Sequence, residues 1–502
     1  LSLNHSWTIN DKSSLNTALY ASISAGGGRN ARGDNSNWLG WNNNTGRPNT
    51  DKSGNVVTKL TPDGYLDFDA VVAANREADN AGAVLVIAEN RHQWYGVLSS
   101  YNNQLTDNLS ITAGYDGRYY RGYHYEWVED LLGADGYVEK YPIYGREKGT
   151  AIQVGDKTNF DNIGEVLSQG VFGQGEYVND QLSAFISASI TYQGYRYHAL
   201  DKAPIDGTQV SDMQNFLPWS AKAGFNWKIN EHMNAYVNGG MFTRAPYFNN
   251  VFKNYQITPY DDVPYEKIYT VEGGYTFAIP KFTGTINAYY TQWDDRGKAV
   301  STSMKNAEGV NVTGRGILRG LDARHTGVEI EMAYTPVKNV ELKGMFSYGD
   351  WIYTDNVKMS LYDDNSQYVG DYQAFIKDVH VGNSAQMTAA LMGSWEIIKG
   401  LKVGADWNYF GKNYADFDVN NRKTEETYDS YKIPNYSTVD LNASYRLKLN
   451  NGVNISFFSN VNNLLNKKYI ADAKDATVDG AKTALVYYGF GTTWSAGMKV
   501  SF

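Results

Sequence analysis

The chain has 502 residues, with 40 Tyr, 49 Gly and only 11 Pro, a composition that favours strands and turns over helices. No run of about 18 apolar residues occurs, which excludes a bundle of membrane-crossing helices, and a net charge of -9 argues against a nucleic-acid partner. Cysteine is absent, so disulfide staples, Cys-based zinc sites and a thiol nucleophile are excluded.

No signal peptide is visible, because Leu1 already lies in a strand-like run, and the chain is expected to begin mid-protein. From there long alternating runs meet in pairs at short polar turns. Leu1–Ile9 meets Ser14–Ser24, and Arg91–Leu105 meets Leu109–Trp127. Ile163–Tyr177 meets Leu182–Tyr197, and Phe216–Ile229 meets Met233–Tyr247. Tyr265–Ile279 meets Phe282–Trp293, Leu321–Tyr334 meets Val340–Tyr353, Gln386–Ile398 meets Leu401–Tyr414, and Val439–Leu449 meets Val453–Leu464. Turns of about two to four residues rich in Asn, Asp, Gly and Pro are hairpin turns. The segments between hairpins are far longer, beginning with 25–90, in which Asp67–Asn80 reads as a short helix behind an Asp cap.

Short turns on one side and long loops on the other are the asymmetry of an outer-membrane barrel. The alternation agrees. Val439, Leu441, Ala443, Tyr445 and Leu447 oppose Asp440, Asn442, Ser444, Arg446 and Lys448. The last run, Thr493–Phe502, places Trp494, Ala496, Met498, Val500 and Phe502 on one face. The expected fold is therefore all-β, a transmembrane antiparallel β-barrel with about 17 strands visible of a probable ~22. An odd count that starts on a downward strand implies about five strands upstream of Leu1. Charged residues on the polar parity require a wide wet lumen or a polar filling. Trp94, Tyr95, Trp227, Trp293, Trp351, Trp395 and Trp407, near strand ends, are expected in the interfacial aromatic girdles.

Aromatic residues in long loops can stack on a solute, and amides can hydrogen-bond it. The candidate contacts are Trp38, Trp41, Tyr137, Tyr141, Tyr255, Tyr260, Tyr362 and Tyr368, with Arg244 on the polar parity as a solute contact or a lumen ion pair, the latter favoured. Asp261-Asp262 and Asp363-Asp364 lack the spacing of a calcium loop, and the seven His are scattered, so no metal site and no cofactor are expected. No nucleophile elbow, phosphate loop or dinucleotide fingerprint occurs, and an enzyme is not expected.

Asn463-Leu464-Leu465-Asn466-Lys467-Lys468-Tyr469 resembles the Asn-Leu-x-Asn-Lys-x-Tyr signature near the C-terminus of TonB-dependent outer-membrane receptors, which likewise finish on a terminal Phe, here Phe502. Phe242-Thr243-Arg244-Ala245-Pro246 approximates that family's Phe-Arg-x-Pro segment, with Thr243 intervening. The resemblance implies that 1–502 is the barrel domain of a receptor in the outer membrane of a Gram-negative bacterium, surrounded by outer-membrane lipid. It further implies an N-terminal plug and a TonB-binding segment outside this chain. The solute would be scarce and bulky: an iron–siderophore, a cobalamin, a glycan or a peptide. A surface lipoprotein lid is compatible with this class. A passive porin-like barrel and a scaffold barrel of a larger outer-membrane complex are the alternatives.

Overall fold

Alternate residues in each long run differ in chemistry, and the runs pair so that each set lies on one side of a single antiparallel sheet. The computed structural model describes residues 1–42, 47–253, 256–261, 263–305, 308–363, 367–425, 428–449, 452–475 and 484–501. Its main sheet begins with β1 (Ser2–Asn10), β2 (Ser13–Arg32), β3 (Val84–Gln104), β4 (Leu109–Asp130), β5 (Lys157–Val178) and β6 (Leu182–Ala199). It continues through β7 (Gln214–Phe216), β8 (Trp219–Asn230), β9 (Met233–Arg244), β10 (Glu266–Ile279), β11 (Phe282–Asp294) and β12 (Ala323–Val337). It ends with β13 (Val340–Tyr353), β14 (Met387–Ile398), β15 (Leu401–Gly411), β16 (Tyr436–Lys448), β17 (Asn454–Asn462) and β18 (Thr493–Ser501). Both β7 and β8 pair with β6, and they are parted at Leu217-Pro218, where proline offers no N–H to the ladder. Counting them as one bent strand turns the 18 members of the sheet into 17, as the hairpin pattern predicts. Among the described residues β1 pairs only with β2, and β18 only with β17.

The register keeps one apolar face across the whole sheet. Leu3 lies opposite Leu19, which lies opposite Val97. Tyr115 faces Val171, Val171 faces Ile190, and Ile190 faces Trp219. At the far end Tyr445, Phe457 and Met498 share the same row. Among the described residues nothing covers these positions: Ile23 is 73% exposed, Ile186 68% and Met498 61%. So large a continuous apolar surface belongs in lipid, not water. No helix among the described residues is long and apolar enough to cross a membrane, which says nothing about crossing by strands.

The wall is uneven in height. Strands β2 to β6 run 18 to 22 residues, whereas β17 and β18 run 9. On β4 the outward positions turn from Ile111 and Tyr115 through Tyr119 to Arg121. About ten residues at ~3.3 Å rise and ~40° tilt project to roughly 25 Å, the height of an apolar band, so the upper part of this tall sector stands clear of lipid.

The buried clusters lie among the long loops. Segments Lys298–Lys305, Asn311–Leu318, Val357–Tyr362 and Tyr368–Ala374 form their own four-stranded sheet over Leu318, Leu361 and Ile376. The first long loop is shorter than the 25–90 expected, because β2 runs on to Arg32 and β3 starts at Val84. The Gly26-Gly27-Gly28 run, which reads as a breaker, pairs in turn with Asn90, Glu89 and Ala88; a Cβ on Gly27 would come within 2.6 Å of Ile87. Within that loop α1 (Phe68–Arg76) is capped by Asp67, whose carboxylate accepts the Ala70 N–H at 2.9 Å, and it ends four residues before the expected Asn80.

The aromatic girdle needs one correction. Tyr95, Trp227, Trp395 and Trp407 lie on the apolar face as expected, but Trp94, Trp293 and Trp351 lie on the polar face. Their position near a strand end suggested an interface, but parity decides which side a side chain takes.

Candidate functional site

A cavity of about 710 Å³ lies on the polar face at the loop end of the tall sector. Asn90 of β3, Tyr120 and His124 of β4, and Asn162, Gly164 and Val166 of β5 form its floor. Tyr197 of β6, Asp201, Lys202, Phe248 and Asn249 close its rim. The residues from the strands are the even positions of β3, β4 and β5, so the two-residue period that buries one face in lipid presents these on the other.

An aromatic cluster fixes the rim. Phe248 lies 5.5 Å from the Tyr195 ring and 5.3 Å from Phe252, and Phe252 stacks on Tyr197 at 5.5 Å. The Tyr195 hydroxyl donates to the Pro246 carbonyl at 3.0 Å, and burial pushes its phenol up to about 12. Gly164 makes room for this: a Cβ there would sit 3.1 Å from the Phe248 ring. On the floor, His124 Nδ1 is 2.6 Å from Asn90 Oδ1, and burial holds the imidazole below its ordinary pKa, so it is neutral near pH 7. The one charged pair in the lining is Lys202 with Asp201, at 3.0 Å. The cavity is thus aromatic and amide-lined, with its charge compensated.

The loop residues singled out in the sequence lie elsewhere. Trp38 packs beside Val71 with the Lys59 ammonium 5.2 Å over its ring. Trp41 is exposed in a two-residue pairing with Pro48, Tyr137 is buried beneath the first loops, and Tyr141 is 80% exposed. Tyr260, Tyr362 and Tyr368 do come together, with ring centroids 5.7 and 6.1 Å apart, under the Lys253 ammonium. Tyr255, Asp262, Asp364 and Phe502 lie outside the described residues. Asp261 is held by Lys253 at 3.1 Å. Arg244 is a lumen ion pair: it contacts Glu266, which Arg296 also reaches at 3.2 Å. Among the described residues no group of His, Asp and Glu is arranged to hold a metal.

A second cavity, of about 580 Å³, lies among the loops near Lys298, Asp416 and Asp475. Of its four carboxylates, Asp416 is paired with Lys298 at 2.7 Å and Asp475 with Arg422 at 2.7 Å, while Asp418 accepts the Asn420 N–H at 2.9 Å and Asp472 the Ala473 N–H at 2.8 Å.

The Asn463–Tyr469 segment is a structural turn. Asn463 and Asn466 adopt φ of 50° and 48°, a region in which Asn is among the least strained residues. Asn463 Oδ1 accepts the Lys467 N–H at 2.8 Å, and its amide donates to the Lys467 and Phe490 carbonyls. Leu464 N–H donates to the Val439 carbonyl at 2.7 Å, and Tyr469 stacks on Tyr436 at 4.1 Å. The motif therefore ties the loop ahead of β18 to β16 and β17.

The family model described as TonB-dependent receptor-like, β-barrel, matches residues 1–464. The chain belongs to that family. No curated protein matches it. Among solved structures it is similar to the copper transporter OprC, at 12% identity and TM-score 0.62, over 100% of this chain and 64% of that one. It is also similar to the siderophore receptor PiuA from Acinetobacter baumannii, at 15% identity and TM-score 0.62, over 100% and 63%. The unliganded ferric citrate transporter FecA matches at 12% identity and TM-score 0.55, over 100% and 61%. These likenesses show the fold. The receptor barrel described here spans just over three-fifths of the length of those chains. Family members are outer-membrane proteins of Gram-negative bacteria, transporters and not enzymes.

The cavity residues Tyr120, His124 and Tyr197 escape a search of loops for aromatics. The available signal was parity: Tyr120 and His124 fall on the polar stroke of an otherwise regular strand, above the level of the outer aromatic row.

Proposed function

We propose that this chain is the barrel wall of an energised uptake receptor in the outer membrane of a Gram-negative bacterium. A bulky solute docks in the cavity at the loop end of the tall sector before passage. The observation that carries this reading is the cavity itself: about 710 Å³, on the polar face, with stacking rings and amides converging on it. TonB acts through a segment outside these residues, and a plug outside them fills the lumen. A surface lipoprotein lid would seat on the long loops. The names of the structural neighbours, a copper transporter, a siderophore receptor and a ferric citrate transporter, support a scarce nutrient as the cargo class without choosing one.

The test is growth of a strain lacking the full-length receptor on single nutrient sources, repeated with TonB disrupted. A nutrient whose use requires both supports the reading. Uptake that needs the barrel but not TonB would make it a passive channel.

A further inference from the structure

The lining of the cavity limits what it can hold, and the wall beneath it extends the same chemistry. Tyr120 is continuous with a row of rings on the polar face: its centroid lies 6.2 Å from Trp94 and 5.9 Å from His92, and Trp94 lies 6.4 Å from Tyr20. Two of these rings lie across glycines. A Cβ on Gly96 would fall 2.1 Å from the Tyr20 ring, and one on Gly122 would fall 2.7 Å from the Tyr120 hydroxyl. Removing side chains from the wall lets the rings lie low against it. Trp94 remains 38% exposed. The row leads from the cavity floor down the lumen wall, since successive even positions of β3 descend from Asn90 through His92 to Trp94.

Beside this row the charged pair Arg118 and Asp116, on the polar face opposite Gly96 and Leu98, is closed on itself at 2.5 Å, and the hydrogen-bonding groups of the cavity floor are uncharged. The side-chain amides of Asn159, Asn162 and Asn249 make no hydrogen bond among the described residues, and each offers two donors and an acceptor to the cavity. An anionic metal chelate entering here would need compensating cations, because a desolvated charge left unpaired is costly and carboxylates are held best by Arg forks. The cavity supplies one Lys, already bound to Asp201.

We propose that the solute is a neutral oligosaccharide, its sugar faces laid on Tyr120, Trp94 and Tyr20 and its hydroxyls bonded by the Asn amides of the cavity. A pyranose has a flat face of C–H groups suited to an aromatic ring, and hydroxyls that both donate and accept. The inference rests on the cavity being the solute site.

The experiment uses the full-length receptor in detergent. Binding is measured by calorimetry against a panel of neutral oligosaccharides, hexamers of α- and β-glucan, mannan, xylan, galactan and N-acetylglucosamine, with ferric citrate as the anionic chelate. Binding of at least one oligosaccharide is expected, weakened about five- to tenfold by Trp94→Ala or Tyr120→Ala. Tyr141→Ala, on an exposed loop, should bind like the parent. Resistance of the strand signal to heat in each variant shows that the barrel is intact. No binding by any member of the panel overturns the inference, as does oligosaccharide binding that both variants leave unchanged. TonB-dependent uptake of a ferric chelate with no sugar binding overturns it as well, yet leaves the energised-uptake reading standing. Sugar uptake independent of TonB does the reverse.

Discussion

Asn75 shows how much a single amide can hold. It is 1% exposed, and its Nδ2 donates to the carbonyls of Ala83, Leu131 and Leu132 while its Oδ1 accepts the N–H groups of Gly82 and Ala83. One side chain therefore satisfies backbone groups from two loops at the point where α1 meets the wall. Asn75→Ala would strand several of them, at about 1–3 kcal/mol for a buried unpaired group. The expected result is a barrel that still assembles but whose 33–83 segment is cut by trypsin at much lower protease concentration. Unchanged digestion would mean that water replaces the amide. His124 supports a second prediction at this scale. Burial depresses its pKa, so below the ordinary ~6.5 the unfolded ring binds a proton that the folded ring resists, and stability falls as pH falls. Protection against hydrogen exchange around Tyr120 and Asn162, relative to the intrinsic rate at each pH, should fall as the pH drops below about 6.5, and His124→Gln should flatten that dependence. An unchanged slope would show that the ring does not carry it.

At the scale of elements, the loops are fastened to one another more firmly than their lack of period suggests. Arg422 and Asp475 form a pair whose side chains are both 1% exposed, joining the loop before β16 to the loop before β18. Arg422 also donates to Ser430 Oγ at 3.2 Å, and Asp475 accepts the Tyr431 N–H at 3.1 Å. Asp475→Ala would leave a buried guanidinium uncompensated, at about 3–5 kcal/mol, whereas replacing both partners with apolar residues should cost far less. Thermal unfolding of the single and double variants separates these outcomes, and equal losses would contradict a buried pair. Such fastenings explain what could be read in advance and what could not. The strands were legible because a period of two is written into every stretch such as Val439–Leu447, and the register in the structure obeys it. The edges of the first loop were not, because Gly26-Gly27-Gly28 has the composition of a turn and forms a strand only through its pairing with β3. Loop aromatics such as Trp38 and Tyr137 could not be assigned from sequence, since tertiary packing and not a repeat decides whether a loop ring is buried or presented. Arg244 was legible because its strand carries parity, and its lumen partner Glu266 is the residue opposite it.

For the whole molecule the decisive relation is between the two faces of one sheet. Ile186 on β6 and Gln174 on β5 belong to adjacent rows, since Ile186 pairs with Gly175 and Ser187 with Gln174, yet they point to opposite sides. Ile186 is a few residues above the turn at Asn179, near the middle of the apolar band, and is 68% exposed on the outer face. An arginine there would face hydrocarbon, at about 2–4 kcal/mol near the midplane, whereas an arginine at position 174 would face the polar lumen. Ile186→Arg should therefore lower folding efficiency into lipid vesicles and reduce outer-membrane levels, while Gln174→Arg should insert like the parent. The contrast is independent of any solute and of TonB. If the two substitutions behaved alike, the apolar face would not be meeting lipid, and the cavity on the opposite face would lose its claim to be the mouth of a transport path.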